Sequence, residues 1–179
     1  NVIAPDDIIN RFGADTARLY VLFMGPAADD MEWSDQGVEG QRRFLDRLWR
    51  LAGNADPDLP VARPTPEQLE GSDAALDLVR KAEATVAKVT ADIGERFSFH
   101  TAISAVQELV NLATKGESEG ILADAAGRLA LTHATRTATS LLFPFAPHIT
   151  SELWEGLGGD RLLEVPWPEA DDRFLVRDT

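Results

Sequence analysis

The sequence predicts an all-α protein, an antiparallel helical bundle with a short helical preface. Three observations carry this. Apolar residues recur at spacings of three, four and seven along most of the chain, the period of a buried helix face. Serines, prolines and glycines fall where such stretches should begin and end. The later stretches are separated by only a few residues, which folds neighbouring helices back on one another. With 179 residues, 44% hydrophobic and 26% charged, the chain has the make-up of a soluble globular domain. A domain of that size buries about two-thirds of its unfolded surface.

The preface comes first. Pro5-Asp6-Asp7 opens a short helix, because proline tolerates the first turn and carboxylates suit the helix dipole there. Ile8, Ile9 and Phe12 give it an apolar side, and Gly13 is its stop. A second short helix at 15–23 buries Ala17, Leu19, Leu22 and Phe23 before Gly25-Pro26 ends it. Residues 26–34 form a loop, and Ser34 caps the first long helix at 35–53. Val38, Leu45, Leu48, Trp49 and Ala52 make its inward stripe, with Phe44 beside it. Arg42, Arg43, Arg47 and Arg50 cover much of the remaining surface, and Gly37 and Gly40 permit close helix approach.

Residues 53–72, rich in proline and acids, read as a surface connection with a turn at 67–69. The next helix, 73–97, has a seam of Leu76, Val79, Val86, Val89, Ile93 and Phe97, with Gly94 as its weak point. Ser98 caps a helix at 98–113 that turns Ala102, Ile103, Val106, Leu109, Val110 and Ala113 inward. Lys115-Gly116-Glu117-Ser118 is a turn. The last long helix, 121–142, presents Leu122, Ala125, Leu129, Ala138, Leu141 and Leu142. Phe143-Pro144-Phe145-Ala146-Pro147 interrupts it, and a short helix at 148–157 follows. Beyond Gly158 the chain is rich in Gly, Pro and Asp, with a short strand at 162–165.

Charge and composition narrow the function. The net charge of -13 disfavours indiscriminate attraction to nucleic acid or acidic lipid. Its acidic excess lies in residues 56–80 and 116–179, so a polyanion would meet segments 42–50 and 81–88. No apolar run is long enough for a bilayer, and acids stand where a secretory signal has its basic start. The expectation is a cytoplasmic protein with no membrane partner. There is no cysteine, hence no disulfide and no thiolate metal site. No nucleophile elbow, glycine-rich phosphate loop or zinc spacing occurs, and Asp6-Asp7 and Asp29-Asp30 lack a third ligand. Neither a catalytic residue nor a metal site is therefore assigned.

Arginine is what remains. Arg43, Arg47 and Arg50 share one helical face and suit phosphate oxygens, with Lys81 and Lys88 as weaker candidates. The alternative is an ordinary solvated face, with Glu39 and Asp46 pairing Arg43 and Arg50. Trp49 and Trp154 stand at core spacing. Trp33 and Trp167 lie in loops, where an indole either pins the segment to a neighbour or stacks on a base. His148, just behind Pro147, is expected to bond through its ring to nearby backbone. His133 is placed on a bundle flank and His100 in solvent.

Several motifs resemble the class I aminoacyl-tRNA synthetases of the leucine, isoleucine and valine group. In that group the signature lysine loop is followed by Gly-Asn-Val, a Pro-Asp helix, and Tyr-Gly-Ala-Asp with an arginine three residues on. The matching residues are Asn1-Val2, Pro5-Asp6, Phe12-Gly13-Ala14-Asp15 and Arg18, with Phe12 in place of the commoner tyrosine. The following stretch resembles the bacterial-type leucyl family in Glu32-Trp33-Ser34-Asp35, Gly37-Val38-Glu39-Gly40, Arg43-Phe44-Leu45 and Leu48-Trp49. Lys88-Val89-Thr90, Asp92-Ile93, Phe99 and Thr101-Ala102-Ile103 continue the likeness. So do residues 143–149 with Glu152-Leu153-Trp154, and Pro166-Trp167-Pro168.

The resemblance implies a class Ia anticodon-binding-type bundle at 31–157. Stem-contact helices at 1–30 would precede it, and an extended tail at 158–179 would lead toward a C-terminal domain. It implies a parent that uses ATP, with Mg2+, to activate leucine and charge tRNA(Leu). The catalytic motifs of that parent would lie on other domains of the same polypeptide, and the isolated fragment would be inactive. Leucine enzymes generally do not read the anticodon, so the bundle would brace the tRNA, with the arginines touching its backbone. Asp15, Arg18, Trp33, Trp49, Pro147, His148 and Trp154 would be structural motif residues, and Asp15 and Arg18 would fix the geometry of the short helices. A helical protein-interaction scaffold without RNA binding is the alternative.

Overall fold

The computed structural model describes residues 3–26 and 29–175; Asn1-Val2, Ala27-Ala28 and 176–179 lie outside them. The described residues form eight α-helices and three 3-10 turns, with no strand among them. The helices are α1 (Pro5–Phe12), α2 (Ala14–Phe23), α3 (Asp35–Asn54) and α4 (Asp73–Gly94). They continue with α5 (Phe99–Ser118), α6 (Ala125–Leu142), α7 (Pro147–Gly156) and α8 (Asp172–Leu175). Short turns fold α5 back on α4, and α6 packs against both. Val79, Ala82, Val86, Ala102, Val106, Leu109, Leu131, Ala134 and Leu141 are all but sealed from solvent between them. The alanines let the axes approach, while each buried leucine contributes about 2–3 kcal/mol.

α3 completes the bundle with Phe44, Leu45, Leu48 and Leu51. Its start is set by Ser34, whose hydroxyl accepts the Gly37 amide at 3.2 Å, while the Ser34 amide donates to the Tyr20 hydroxyl at 2.9 Å. Gly37 is required here: a Cβ would lie 2.7 Å from the Tyr20 ring, whereas at Gly40 nothing stands close. Ser72 and Asp124 cap α4 and α6 in the same way, at 3.4 and 2.7 Å.

Several expectations need correction. Trp49 is 50% exposed, not core. The buried stripe of α3 is centred on Phe44, Leu48 and Leu51, and Trp49 falls on the adjacent strip with Arg42 and Asp46. Phe97 is 75% exposed as well. α4 stops at Gly94, and the chain then passes through Phe97 with φ 50°, a left-handed turn that throws its ring outward. Ser98 does not cap α5 through its side chain; its hydroxyl accepts from Thr101 instead, at 2.7 Å. The expected turn at 115–118 is helical, since Gly116 lies against Ile121, where a Cβ would approach to 3.3 Å.

The break comes instead at Ile121–Ala123, a 3-10 turn, and α6 starts only at Ala125, which is exposed. The expected strand at 162–165 is the 3-10 turn Leu162–Glu164. Leu162 plugs into the core, and no neighbouring strand is at hand to satisfy its backbone. The tail folds back on α4. Trp167 donates its indole N–H to the Thr90 hydroxyl at 2.9 Å, and Phe174 on α8 is buried.

Candidate nucleic-acid interface

The α3 arginines divide into two kinds. Arg42 is tied down, donating to Asp46 at 3.1 Å and to the Phe12 carbonyl at 3.3 Å. Arg43 meets Glu39 only at 3.9 Å, with both side chains well exposed. Arg47 spreads over the Phe44 ring, 5.9 Å from its centroid, with its Nε buried and unbonded. Arg47 and Arg50 have no acid partner among the described residues. The expected Asp46–Arg50 pair does not form, because Arg42 holds Asp46.

The two lysines are committed elsewhere. Lys81 donates to Glu108 at 2.7 Å, an exposed pair worth about 0–1 kcal/mol and easily exchanged. Lys88 donates at 2.8 Å to Asp92, which is buried and shared with Arg96 at 3.1 Å. Burial alone would raise the Asp92 pKa, but Lys88, Thr101 and Arg96 hold it below the usual carboxylate value. Turning Lys88 toward a phosphate would leave that buried charge to Arg96 and Thr101 alone.

A clasp orients this face. Arg18 of α2 donates to the carbonyls of Phe145 and Pro144, at 3.3 and 3.1 Å. Asp15, one helical turn away, accepts the amides of His148 and Ile149, at 3.4 and 2.5 Å. A carboxylate from another helix thus caps α7, whose first position is the preorganised Pro147. His148 contributes its amide to this clasp, not its ring as expected. Asp15→Ala should destabilise the chain by about 1–2 kcal/mol, the range of a lost N-cap, and Asp15→Asn by less. Urea unfolding checks this, and equal midpoints for all three proteins would refute the capping role.

The tryptophans take structural positions with one exception. Trp33 meets Tyr20 edge-on at 4.8 Å and donates to Asp35 at 2.8 Å, which pins the loop to α2 and α3. Trp154 is buried against Gly159, where a Cβ would sit 2.1 Å from its indole nitrogen. Trp49, half exposed, lines an open cleft of about 640 Å³ between the α1–α2 turn, α3 and α7.

Two polar hubs escaped sequence reasoning. Arg136 is 5% exposed and donates only to main-chain carbonyls. Glu83 is 1% exposed and joins Arg63, His133 and the Asp171 amide. His133, expected on a bundle flank, serves this hub. Arg136 had a signal, a charge amid Thr, Ala and Leu in the second half of α6; Glu83 had none among the other charges of α4.

The bundle is a helical tRNA-ligase domain: the chain belongs to the family described as the anticodon-binding domain of tRNA ligase, whose sequence model matches residues 76–179. Within that family its similarity runs to leucine enzymes. It is 43% identical over 182 residues to the leucine–tRNA ligase of Oleidesulfovibrio alaskensis, covering 99% of this chain and 22% of that protein. The leucine–tRNA ligase of Halorhodospira halophila is 42% identical, with 99% of this chain and 21% of that protein covered. The chain thus spans about a fifth of the length of these relatives.

Among solved structures it superposes on a leucyl-tRNA synthetase of Agrobacterium radiobacter K84, in a ternary complex with tRNA and LeuAMS. The TM-score is 0.85 at 31% identity, with 98% of this chain and 22% of that one covered. Methionyl-tRNA synthetase of Mycobacterium tuberculosis shares the fold, with a TM-score of 0.66 at 18% identity over 94% of this chain and 40% of that one.

Proposed function

We propose that this chain is the tRNA-binding and bracing domain of a cytoplasmic leucine–tRNA ligase. The parent activates leucine with ATP and Mg2+ and esterifies it to tRNA(Leu). The observation that carries the RNA reading is the acid-free pair Arg47 and Arg50 on α3, in a chain whose other arginines are mostly committed to carboxylates or carbonyls. Guanidinium groups at that spacing grip phosphates without reading sequence, so the domain positions the RNA and leaves chemistry to the catalytic part. Arg43 joins them at little cost, since its contact with Glu39 is long and exposed. Lys88 drops behind, being held by Asp92. The clasp of Asp15 and Arg18 supplies the bracing, because it fixes the preface on the bundle at the α6–α7 junction.

The test is Arg47→Gln with Arg50→Gln in the parent ligase, titrated with tRNA(Leu) transcript and a non-cognate tRNA across salt concentrations. Each lost phosphate contact should weaken binding to both tRNAs alike and lower the salt slope by about 1. An unchanged tRNA KM and salt slope would overturn the reading. The 179-residue chain alone, at net charge -13, should bind only weakly.

A further inference from the structure

We infer that the cleft beside Trp49 is a seat for one unpaired RNA base, entered base first with its backbone left outside. This rests on the tRNA-binding reading above and names the element of RNA that the face takes.

Trp49 is the starting point. Every other large apolar side chain of α3 is buried, yet this indole is 50% exposed and forms a wall of the cleft. An indole in that position offers a flat face suited to stacking, which is how proteins hold unpaired bases. The opposite walls are the Phe12–Thr16 turn and the start of α7, with His148 and Glu152. The volume of about 640 Å³ leaves room for a purine.

Electrostatics decide which part of a nucleotide enters. Asp15, Asp46 and Glu152 line the cleft; Asp15 is held by the α7 amides and Asp46 by Arg42, which leaves Glu152 as the open acceptor. Three carboxylates against one arginine repel a phosphate. They accept hydrogen bonds from exocyclic amino and ring N–H groups, however, and a carboxylate can take both N1–H and N2–H of guanine. Arg50, one helical turn beyond Asp46 on α3, is exposed and has no acid partner among the described residues. The match is a base with a donating edge, guanine best, and uracil, with a single N–H between two carbonyls, worst.

The experiment uses the parent ligase and tRNA(Leu) transcript, with Trp49→Ala, Trp49→Phe and Arg47→Gln/Arg50→Gln. Trp49→Ala should weaken tRNA binding about 5- to 100-fold, the loss typical of one stacked base, without changing the salt slope. Trp49→Phe should restore most of it, and so keeps the test valid if the alanine variant folds poorly. Kethoxal, which modifies unpaired guanine, should find one guanine shielded by the wild type and re-exposed by Trp49→Ala. Unchanged affinity in both Trp49 variants, while the arginine variants lose salt-dependent binding, would overturn the base seat and leave the tRNA reading intact. Unchanged affinity in all three would overturn both. Slower leucyl-adenylate formation by Trp49→Ala in the absence of tRNA would show that the cleft is filled by another part of the polypeptide, and would also overturn the proposal.

Discussion

Replacing Arg136 by methionine should be the most damaging single substitution in the bundle, at about 3–5 kcal/mol, because several buried carbonyls lose their donor at once and each unsatisfied group costs about 1–3 kcal/mol. The guanidinium is 5% exposed, and burial lowers its pKa, opposed only by the charge of Asp56. Among the described residues it has no carboxylate in contact. Instead it fills its donors with carbonyls: Leu157 at 2.7 Å, Pro60 at 2.8 Å, Leu59 at 2.8 Å and Pro57 at 3.4 Å. Those carbonyls belong to the α3–α4 connection and to the end of α7. Gly158 makes the approach possible: its φ is 83°, and a Cβ there would lie 2.2 Å from the Pro57 carbonyl oxygen.

Methionine matches much of the volume but none of the donors, so the carbonyls lose their partners together. A protein of this size should lose roughly 10 °C in Tm. Arg136→Lys should fall between the two, since an ammonium has three donors and lacks the planar fork. Urea unfolding of the 179-residue chain measures this. A loss below about 1 kcal/mol for the methionine variant would mean that water replaces the guanidinium at these carbonyls.

The comparison of Arg136 with Trp49 explains what could be read from sequence. Periodicity located all four long helices and most of their inward residues, because a helix face repeats along the chain. Helix starts were legible where a serine or proline marks them, as at Ser34 and Pro147, but the expected start of α6 at 121 misses its local cap, Asp124, and a cap that comes from elsewhere was illegible. α7 is capped by Asp15 from far along the chain, so residues 146–148 alone could not reveal it. Trp49 was misplaced because the stripe on α3 is wide enough to include it, and only the packing of α7 and the α1–α2 turn leaves its ring open. The candidate arginines were legible as a face. Which of them is free was not, since Asp46 is within reach of either Arg42 or Arg50 on one helix and only the fold brings the Phe12 carbonyl to Arg42.

Glu83→Gln tests the second hub, and its effect should depend on pH in a defined direction. Glu83 on α4 is 1% exposed. One oxygen accepts Arg63 at 3.0 Å and faces His133 Nε2 at 2.9 Å; the other accepts the Asp171 amide at 2.8 Å. Arg63 also reaches Asp171 at 3.4 Å and the Glu169 carbonyl. The carboxylate thus ties the α3–α4 connection, α6 and the tail to α4. Burial pushes its pKa up, but the bonds from His133 and the Asp171 amide and the charge of Arg63 outweigh that, and the net shift is downward.

A carboxylate with a folded pKa below its unfolded one stabilises the fold fully above the unfolded value, about 4.3, and loses that contribution as pH falls through the folded value. At pH 7, Glu83→Gln should therefore cost about 3 kcal/mol, the low end of the range for a buried ion pair broken from one side, since Arg63 is partly exposed. The gap to wild type should hold from pH 7 to about 5 and narrow below about 4.3, as the wild-type carboxyl protonates and comes to resemble the amide. Asp92 and Asp171 also have lowered pKa values, so acid sensitivity of the wild type alone does not single out Glu83. The difference between the two proteins does, because those two acids are common to both. Urea midpoints for wild type and Glu83→Gln across that pH range measure it. A gap that stays constant down to the lowest pH would show that shape at this position, and not charge, holds the tail to the bundle.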